Sequence, residues 1–284
     1  MQPAELISLV ITTYNRSDAL VCVLEALAAQ SDTNFEIVIA DDGSNQQHQD
    51  AIQQGLYKLG LRATHVWHPD VGFTASRVRN LGVLAAKGRY IVLLDGDCVP
   101  ETDFVSRHRA LAEPGCFVNG SRVMLSEPFT LDALRGATSV YGHNWIFWLL
   151  ARLGGRASKT GPLLRLPDMS ARRQPDFRWK GIRSCNMALW REDYVAVNGF
   201  DETFVGWGHE DADFVLRLHN AGKVRKNGFF ATEVYHLWHR QSSRAEASRN
   251  ADRVRERMHS GQQMATIGYR ESADALDVVC STWG

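Results

Sequence analysis

Long apolar runs, paired cysteines and a surplus of either charge are all missing from this 284-residue chain, and each absence excludes a class of protein. No segment holds the roughly 18–20 consecutive apolar residues that span a bilayer, so no transmembrane helix is expected. The five cysteines (Cys22, Cys98, Cys116, Cys185 and Cys280) are odd in number, scattered, and form no C-x-x-C pair. That argues against a disulfide framework or a structural zinc site and for a reducing, cytoplasmic setting. Met1 to Leu6 carries no basic n-region and no small-residue cleavage site, so no signal peptide is expected. The 32 basic and 32 acidic residues cancel, so net charge names no partner. Without a recognised binding module, a nucleic-acid partner is not expected. There is no internal repeat and no low-complexity tract. What remains is ordinary for a globular protein, 44% hydrophobic and 23% charged, and long enough for one large α/β domain or a domain with a smaller lobe.

Charge and periodicity must then be read locally. Leu6 to Ile11 is a nearly continuous apolar run, as expected of a strand covered on both faces. Ser17-Asp18 can cap a following helix in which Leu20, Val21, Leu24, Leu27 and Ala28 recur at helical spacing. Phe35 to Ala40 reads as a second strand, the next segment as a helix to about Leu59, and Thr64 to Trp67 as a third strand. A helix from about Ala75 to Ala86 precedes Tyr90 to Leu94, a buried strand. This alternation predicts a parallel sheet with covering helices. Ligands of such sheets bind beyond the carboxyl ends of the strands. Thr12 to Arg16, Asp41 to Ser44 and Asp95 to Asp97 all follow strand ends, which puts three polar clusters on one rim. The tail from about Ser243, with Ala247, Ala251, Val254 and Met258 at heptad-like spacing, reads as one amphipathic helix.

Three constellations carry chemistry. Asp95-Gly96-Asp97 offers two carboxylates at a strand end, where hard oxygen ligands suit Mg²⁺ or Mn²⁺ beside a nucleotide. An isolated D-x-D is ordinarily a solvated turn; its place after a buried strand, beside two other polar strand ends, favours the cation site. Cys98, next in line, is either a ligand for a softer metal or a small packed hydrophobe, and a free cysteine fits the second role better. Gly206-Trp207-Gly208-His209-Glu210-Asp211 combines a tight turn with a flat aromatic face for a sugar ring. Its carboxylates, with Asp213, fall in the first turn of a helix whose dipole favours them. Finally, His236-Leu237-Trp238-His239 follows a strand-like segment, and an imidazole there can join Asp97 around a cation. Spacing does not decide between His236 and His239.

VITTYNR near the start, ADDGS after the second strand, RVRNLGVLAAKGRYIVLL over Arg77 to Leu94 and the adjoining DGDCVP resemble the nucleotide-sugar-binding half of family 2 glycosyltransferases. Four segments in the expected order cover roughly Leu6 to Pro100. GFDETF (Gly199 to Phe204) followed by the Trp-Gly-His-Glu-Asp segment is similar to the catalytic segment of β-1,4-galactosyltransferases and bacterial chondroitin polymerases, which carry W-G-x-E-D. The resemblance implies the GT-A fold, a Rossmann-like, mostly parallel central sheet flanked by helices, with a C-terminal acceptor-binding region. It divides one domain into a nucleotide-sugar-binding half (1–100), an acceptor-binding and catalytic half (101–240) and a C-terminal helical tail (241–284).

By the same resemblance, Thr13 and Tyr14 line the base pocket, Arg16 lies near the phosphates, and Asp42 binds the base, usually uracil. Arg79 supports the donor site, Asp95 faces the ribose or sugar, and Asp97 and His236 hold Mn²⁺ or Mg²⁺; His239 is the alternative ligand or reaches the diphosphate. Asp211 is the general base and Glu210 bonds the acceptor sugar, beside Trp207 and His209. His209 stands where many relatives carry glycine, so the acceptor pocket is expected to differ there. The implied activity is inverting, metal-dependent transfer from a UDP-sugar to a hydroxyl of a glycan or lipid-linked acceptor, in bacterial surface polysaccharide or lipopolysaccharide synthesis.

Trp145 to Leu150 is the most apolar stretch, and a basic segment follows it (Arg152, Arg156, Lys159, Arg165, Arg172, Arg173, Arg178, Lys180, Arg183). Two readings fit: a core helix, or an interfacial helix that brings the enzyme to the inner face of the membrane. The basic segment also suits an anionic acceptor. A non-catalytic nucleotide-sugar- or carbohydrate-binding protein on the same fold is the rival reading, and it needs no acidic base beside a metal. A nucleotidyltransferase would need a Gly-rich triphosphate loop, which VITTYNR is not.

Overall fold

A computed structural model describes residues 6–160, 165–240 and 244–284. The first third alternates as the apolar pattern predicts: β1 (Ile7–Thr13), α1 (Ser17–Ala28), β2 (Phe35–Asp41), α2 (Gln46–Leu59), β3 (Ala63–Trp67), α3 (Ala75–Ala85) and β4 (Tyr90–Asp95). Short elements follow: β5 (Cys98–Pro100), α4 (Phe104–Leu111), β6 (Cys116–Asn119), β7 (Ser121–Met124), α5 (Glu127–Leu134), α6 (Trp145–Leu153), β8 (Arg173–Gln174), β9 (Asn186–Trp190) and α7 (Arg191–Ala196). The chain ends in α8 (Glu210–Asn220), β10 (Val224–Asn227), β11 (Glu233–His236), α9 (Ala247–Met258), α10 (Tyr269–Ser272) and β12 (Val279–Trp283).

Nine strands form the central sheet in the order β12-β3-β2-β1-β4-β9-β6-β10-β8. β3, β2, β1 and β4 run parallel, β9 opposes both β4 and β6, and β10 runs parallel to β6. The sheet is therefore mostly parallel, with β12, β9 and β8 reversed. Strands covered on both faces should be apolar throughout. In β1, Ile7, Leu9 and Ile11 join α1 and part of β4 in one core layer, while Val10 joins α3 and Ile91 in the other. A smaller sheet, β5-β11-β7, stands beside the rim of the large one.

Three local expectations are corrected. Ser17 and Asp18 do not cap α1: Arg16 is the cap residue and makes no side-chain capping bond. Ser17 Oγ instead lies 2.8 Å from His48 Nδ1, and Asp18 accepts from Arg16 Nε at 3.0 Å. The tail is not one helix. Beyond α9 it continues through α10 into β12, which pairs antiparallel with β3 and closes that edge of the sheet. The apolar Trp145–Leu150 run is a core helix on one face only. On α6, Trp148 and Ala151 are buried, and Trp148 stacks on Tyr235 at 4.1 Å. Trp145, Ile146, Leu150 and Leu153 remain 48–75% exposed on the same helix. Among the described residues, no helix is long and apolar enough to cross a membrane.

Candidate active site

The carboxyl ends of β1, β2 and β4 open onto a cleft of about 790 Å³. Thr13, Tyr14, Arg16, Asp42, Arg79, Asp95, Asp97, Trp207, His236 and His239 all line it. Segments far apart in sequence thus meet where an open parallel sheet is expected to bind its ligand.

One rim of the cleft is built by the β1 and β2 turns. Thr13 is buried, its Oγ1 without a partner, and its carbonyl accepts from Asp42 N at 2.9 Å. Tyr14 is half exposed and its hydroxyl donates to Asp70 at 2.8 Å. Asp42 is held inward. Its Oδ2 accepts from Thr74 N at 3.0 Å, Thr74 Oγ1 donates to Oδ1, and His68 Nε2 lies 3.1 Å from Oδ1. One residue earlier, Asp41 Oδ1 accepts from Ser44 N at 2.8 Å and fixes the bend after β2.

The D-x-D segment needs its central glycine. A Cβ on Gly96 would stand 2.8 Å from the Thr12 carbonyl oxygen, so Asp95 and Asp97 can project from the rim only around a residue without one. Gly96 N donates to that same oxygen at 2.8 Å. Asp95 is then held by Thr12 Oγ1 at 3.0 Å and by Arg79 Nη2 at 3.2 Å.

Asp97 receives the two histidines because β11 pairs antiparallel with β5, setting His236 opposite Cys98, while Leu237 N donates to the Asp97 carbonyl at 2.9 Å. Nε2 of His236 and of His239 lie 3.6 and 3.2 Å from Asp97 Oδ2. Burial pushes the His236 imidazole below its ordinary range, against the upward pull of Asp97, so it is neutral at pH 7 and able to act as a ligand. Ligand atoms of Asp97, Cys98 and His236 lie within 4.8 Å of one another. Cys98 is fully buried, and burial pushes its thiol well up; it stays protonated and donates to Asp97 Oδ1 at 3.5 Å. The packed role foreseen for Cys98 suits this environment. Carboxylate and neutral imidazole are a donor set that fits Mn²⁺ or Mg²⁺.

The loop of Gly206 to Asp211 reaches the same place through Arg79. This arginine is buried, and its guanidinium forks between Asp95 at 3.2 Å and Glu210 at 3.3 Å. Burial works against its charge, but Asp95 and Glu210 more than offset that and hold its pKa up. Gly206 and Gly208 both have positive φ, and so does His209 (+70°), which precedes α8. A left-handed position favours glycine, the residue that the resemblance implies here. His209 fills it with its ring edge-on to Trp179 at 5.3 Å and does not line the cleft.

Glu210 is buried and Asp211 half-buried, neither forming part of the cleft wall itself. Desolvation and the neighbouring Glu210 charge push Asp211 up to about 7, with Arg79 and the Ala212 and Ser184 amides pulling the other way. Asp213, the third acid, takes no part. It is fully buried and pairs with Arg217 at 2.8 Å and Arg257 at 2.5 Å, bracing α8 against α9.

Sequence reasoning missed the cations Arg122, Arg240 and Arg244 and the aromatics Phe73 and Trp238, which also line the cleft. Arg244 was detectable only as a base shortly after the histidines; its guanidinium lies 5.0 Å over the Trp207 ring. Arg122 had no signal, because β7 reaches the site through its pairing with β11, far away in sequence.

Two layers of helices on a mostly parallel sheet, with a carboxylate pair at a strand end, make the fold GT-A. The chain belongs to glycosyltransferase family 2, since the profile described as glycosyl transferase family 2 matches residues 8–178. A second profile, described as the N-terminal domain of galactosyltransferase, matches residues 168–240. Validoxylamine A glucosyltransferase of Streptomyces hygroscopicus subsp. jinggangensis is 30% identical over 230 residues, 76% of this chain and 52% of that protein. Chondroitin synthase of Pasteurella multocida is 31% identical over 241 residues, 76% of this chain and 23% of that one. The match thus spans about half of the first relative and about a quarter of the second.

Solved structures agree on the fold. The mannosyltransferase PcManGT from Pyrobaculum calidifontis, in complex with GDP-Man and Mn²⁺, has a TM-score of 0.54 at 17% identity and covers 93% of this chain and 63% of its own. GalNAc-T7 with UDP, GalNAc and Mn²⁺ has a TM-score of 0.60 at 16% identity, covering 90% and 48%.

Proposed function

We propose that this glycosyltransferase moves a sugar from a UDP-sugar to a hydroxyl of a glycan or lipid-linked acceptor, with inversion and with Mn²⁺ or Mg²⁺, in bacterial surface polysaccharide or lipopolysaccharide synthesis. The observation that carries this reading is the Arg79 fork, which joins Asp95 on the donor side to Glu210 on the acceptor side. Chemistry at a strand end and chemistry at a helix start share one buried cation.

In this reading Thr13, Tyr14 and Asp42 hold the base, Arg16 lies near the phosphates, and Arg79 and Asp95 fix the ribose or sugar. Trp207 stacks on the acceptor, with Glu210 bonding it and His209 shaping the loop behind. Asp211 takes the proton of the acceptor hydroxyl, whose oxygen attacks the anomeric carbon from the face opposite the leaving diphosphate. An aspartate raised to about 7 is basic enough for the task yet half ionised at neutral pH and increasingly so above it. Asp97 with His236 and His239 would hold the cation, which supplies positive charge to the departing diphosphate. Asp211→Asn is expected to bind a UDP-sugar normally and to lose about 10²–10⁴-fold in transfer. Near-normal turnover by that variant would remove Asp211 from the role of base.

α6 carries its exposed apolar residues together with the exposed Arg152, a combination suited to an anionic membrane surface on the cytoplasmic side. Vesicles rich in phosphatidylglycerol are expected to sediment the protein, and Trp145→Ser with Leu150→Ser to release it. Sedimentation unaltered by the substitutions would contradict this contact.

A further inference from the structure

Away from the cleft, a second recess of about 320 Å³ opens between β6, β10 and the loop before β9. Arg178, Lys180, Arg183 and Arg225 line it, with Asn119 and the half-exposed ring of Phe229. None of the four cations has a carboxylate within ion-pair distance among the described residues, in a chain of 32 basic and 32 acidic residues. Arg225 is the most telling. It is only 8% exposed, donates through Nη1 to the Arg178 carbonyl and through Nη2 to the Gly181 carbonyl, both at 3.1 Å, and leaves Nε–H without an acceptor.

A buried guanidinium is expensive unless its charge is met. Here burial and the like charges of Arg178 and Arg183 both weaken its hold on the proton, with no acid to offset them. Two carbonyls fix the side chain in place, so the missing element is negative charge. The recess also carries what a sugar needs, an aromatic face in Phe229 and amides nearby, in a volume within the range of small-ligand sites.

Its place in the fold says which molecule supplies the charge. Ser121 at the start of β7 lines the recess, and Arg122 and Met124 on the same strand line the catalytic cleft. β6 and β10 run parallel to β4, so their carboxyl ends at Asn119 and Asn227 open on the rim that carries Asp95, and only β9 stands between β4 and β6, a span of about 10 Å. A short oligosaccharide seated with its acceptor hydroxyl in the cleft can therefore extend into the recess.

We propose that this recess is an acceptor subsite for an oxyanion-bearing sugar, a carboxylate, sulfate or phosphate group of the growing glycan, held by Arg178, Lys180, Arg183 and Arg225. The proposal rests on the reading of the cleft as a sugar-transfer site. It adds that the acceptor is an anionic glycan rather than a neutral one.

The test is calorimetric titration of the full chain with a uronate-containing tetrasaccharide and with its carboxyl-reduced, neutral counterpart, without donor or metal. The acidic tetrasaccharide is expected to bind at least about tenfold tighter, as charge-assisted hydrogen bonds allow. That preference should shrink with added salt and should be lost in the double variant Arg178→Gln, Arg183→Gln. Both side chains reach solvent, so the fold does not depend on them. Equal binding of the two tetrasaccharides, or a double variant that keeps the preference, overturns the subsite. Inorganic phosphate that binds as tightly as the acidic tetrasaccharide overturns its assignment to a glycan. Because no donor is present, the outcome is separate from transfer. A protein that shows the preference but turns over no UDP-sugar refutes the donor reading and leaves the anion recess standing.

Discussion

Three carboxylates follow one another at the start of α8, and the structure gives each a different task. Glu210 is neutralised by Arg79, Asp213 by Arg217 and Arg257, and Asp211 is left with no ion pair among the described residues. Its pKa is raised because burial and the adjacent Glu210 both disfavour its charge. The sign of the consequence follows. A carboxyl raised from its ordinary range to about 7 is protonated more readily in the folded protein than in the unfolded chain. Its contribution to stability is fully present below about pH 4 and is lost as pH rises through 7. Asp211→Asn should therefore raise the melting temperature at pH 8, by an amount that shrinks as pH falls toward 4. In the native enzyme, kcat/KM should climb with pH through about 7 and then level off on that limb. A flat profile between pH 5 and 8, with no gain in stability for the variant, would contradict the assignment. At this scale the sequence was readable wherever local pattern carries chemistry, as in Asp95-Gly96-Asp97 and Gly206 to Asp211. It was silent on which acid stays unpaired, because Arg257 and Arg79 are brought to α8 by tertiary packing.

Among the elements, legibility follows length and burial. β1, β2 and β4 are apolar runs of six or seven residues between amphipathic helices, and they can be read from periodicity alone. β5, β6, β7, β8 and β10 have two to four residues each and owe their existence to partners distant in the chain. β12 shows the same limit. Trp283 stacks on His65 at 3.6 Å, and His65 Nε2 lies 3.0 Å from Asp41 Oδ2 at the turn that positions Asp42. The end of the chain therefore buttresses the donor-side rim without entering the cleft. Replacing Trp283 with alanine is expected to cost about 1–2 kcal/mol of stability and to weaken UDP binding through the β2 turn. Denaturant unfolding and a UDP titration measure the two effects. Unchanged UDP affinity in a destabilised variant would confine β12 to a packing role.

At the scale of the whole molecule, the sheet sets β1, β2 and β4 side by side, the small sheet delivers His236 and His239, and the loop before α8 brings Trp207 and the acids across from them. The GT-A architecture was legible because four family-like segments occur in order. The basic recess was legible only as a basic segment holding Arg178, Lys180 and Arg183, since Arg225 joins them only through the pairing of β10 with β6 and β8. The central claim is metal-dependent transfer from a UDP-sugar, and it is tested most directly by following UDP release from a panel of UDP-sugars. The protein is stripped with chelator and assayed with and without Mn²⁺, alongside Asp97→Asn. The account predicts release from at least one UDP-sugar that needs Mn²⁺ and falls by about 10²-fold or more in the variant. Release that proceeds equally without metal, or is unaffected by the loss of the Asp97 carboxylate, would contradict it.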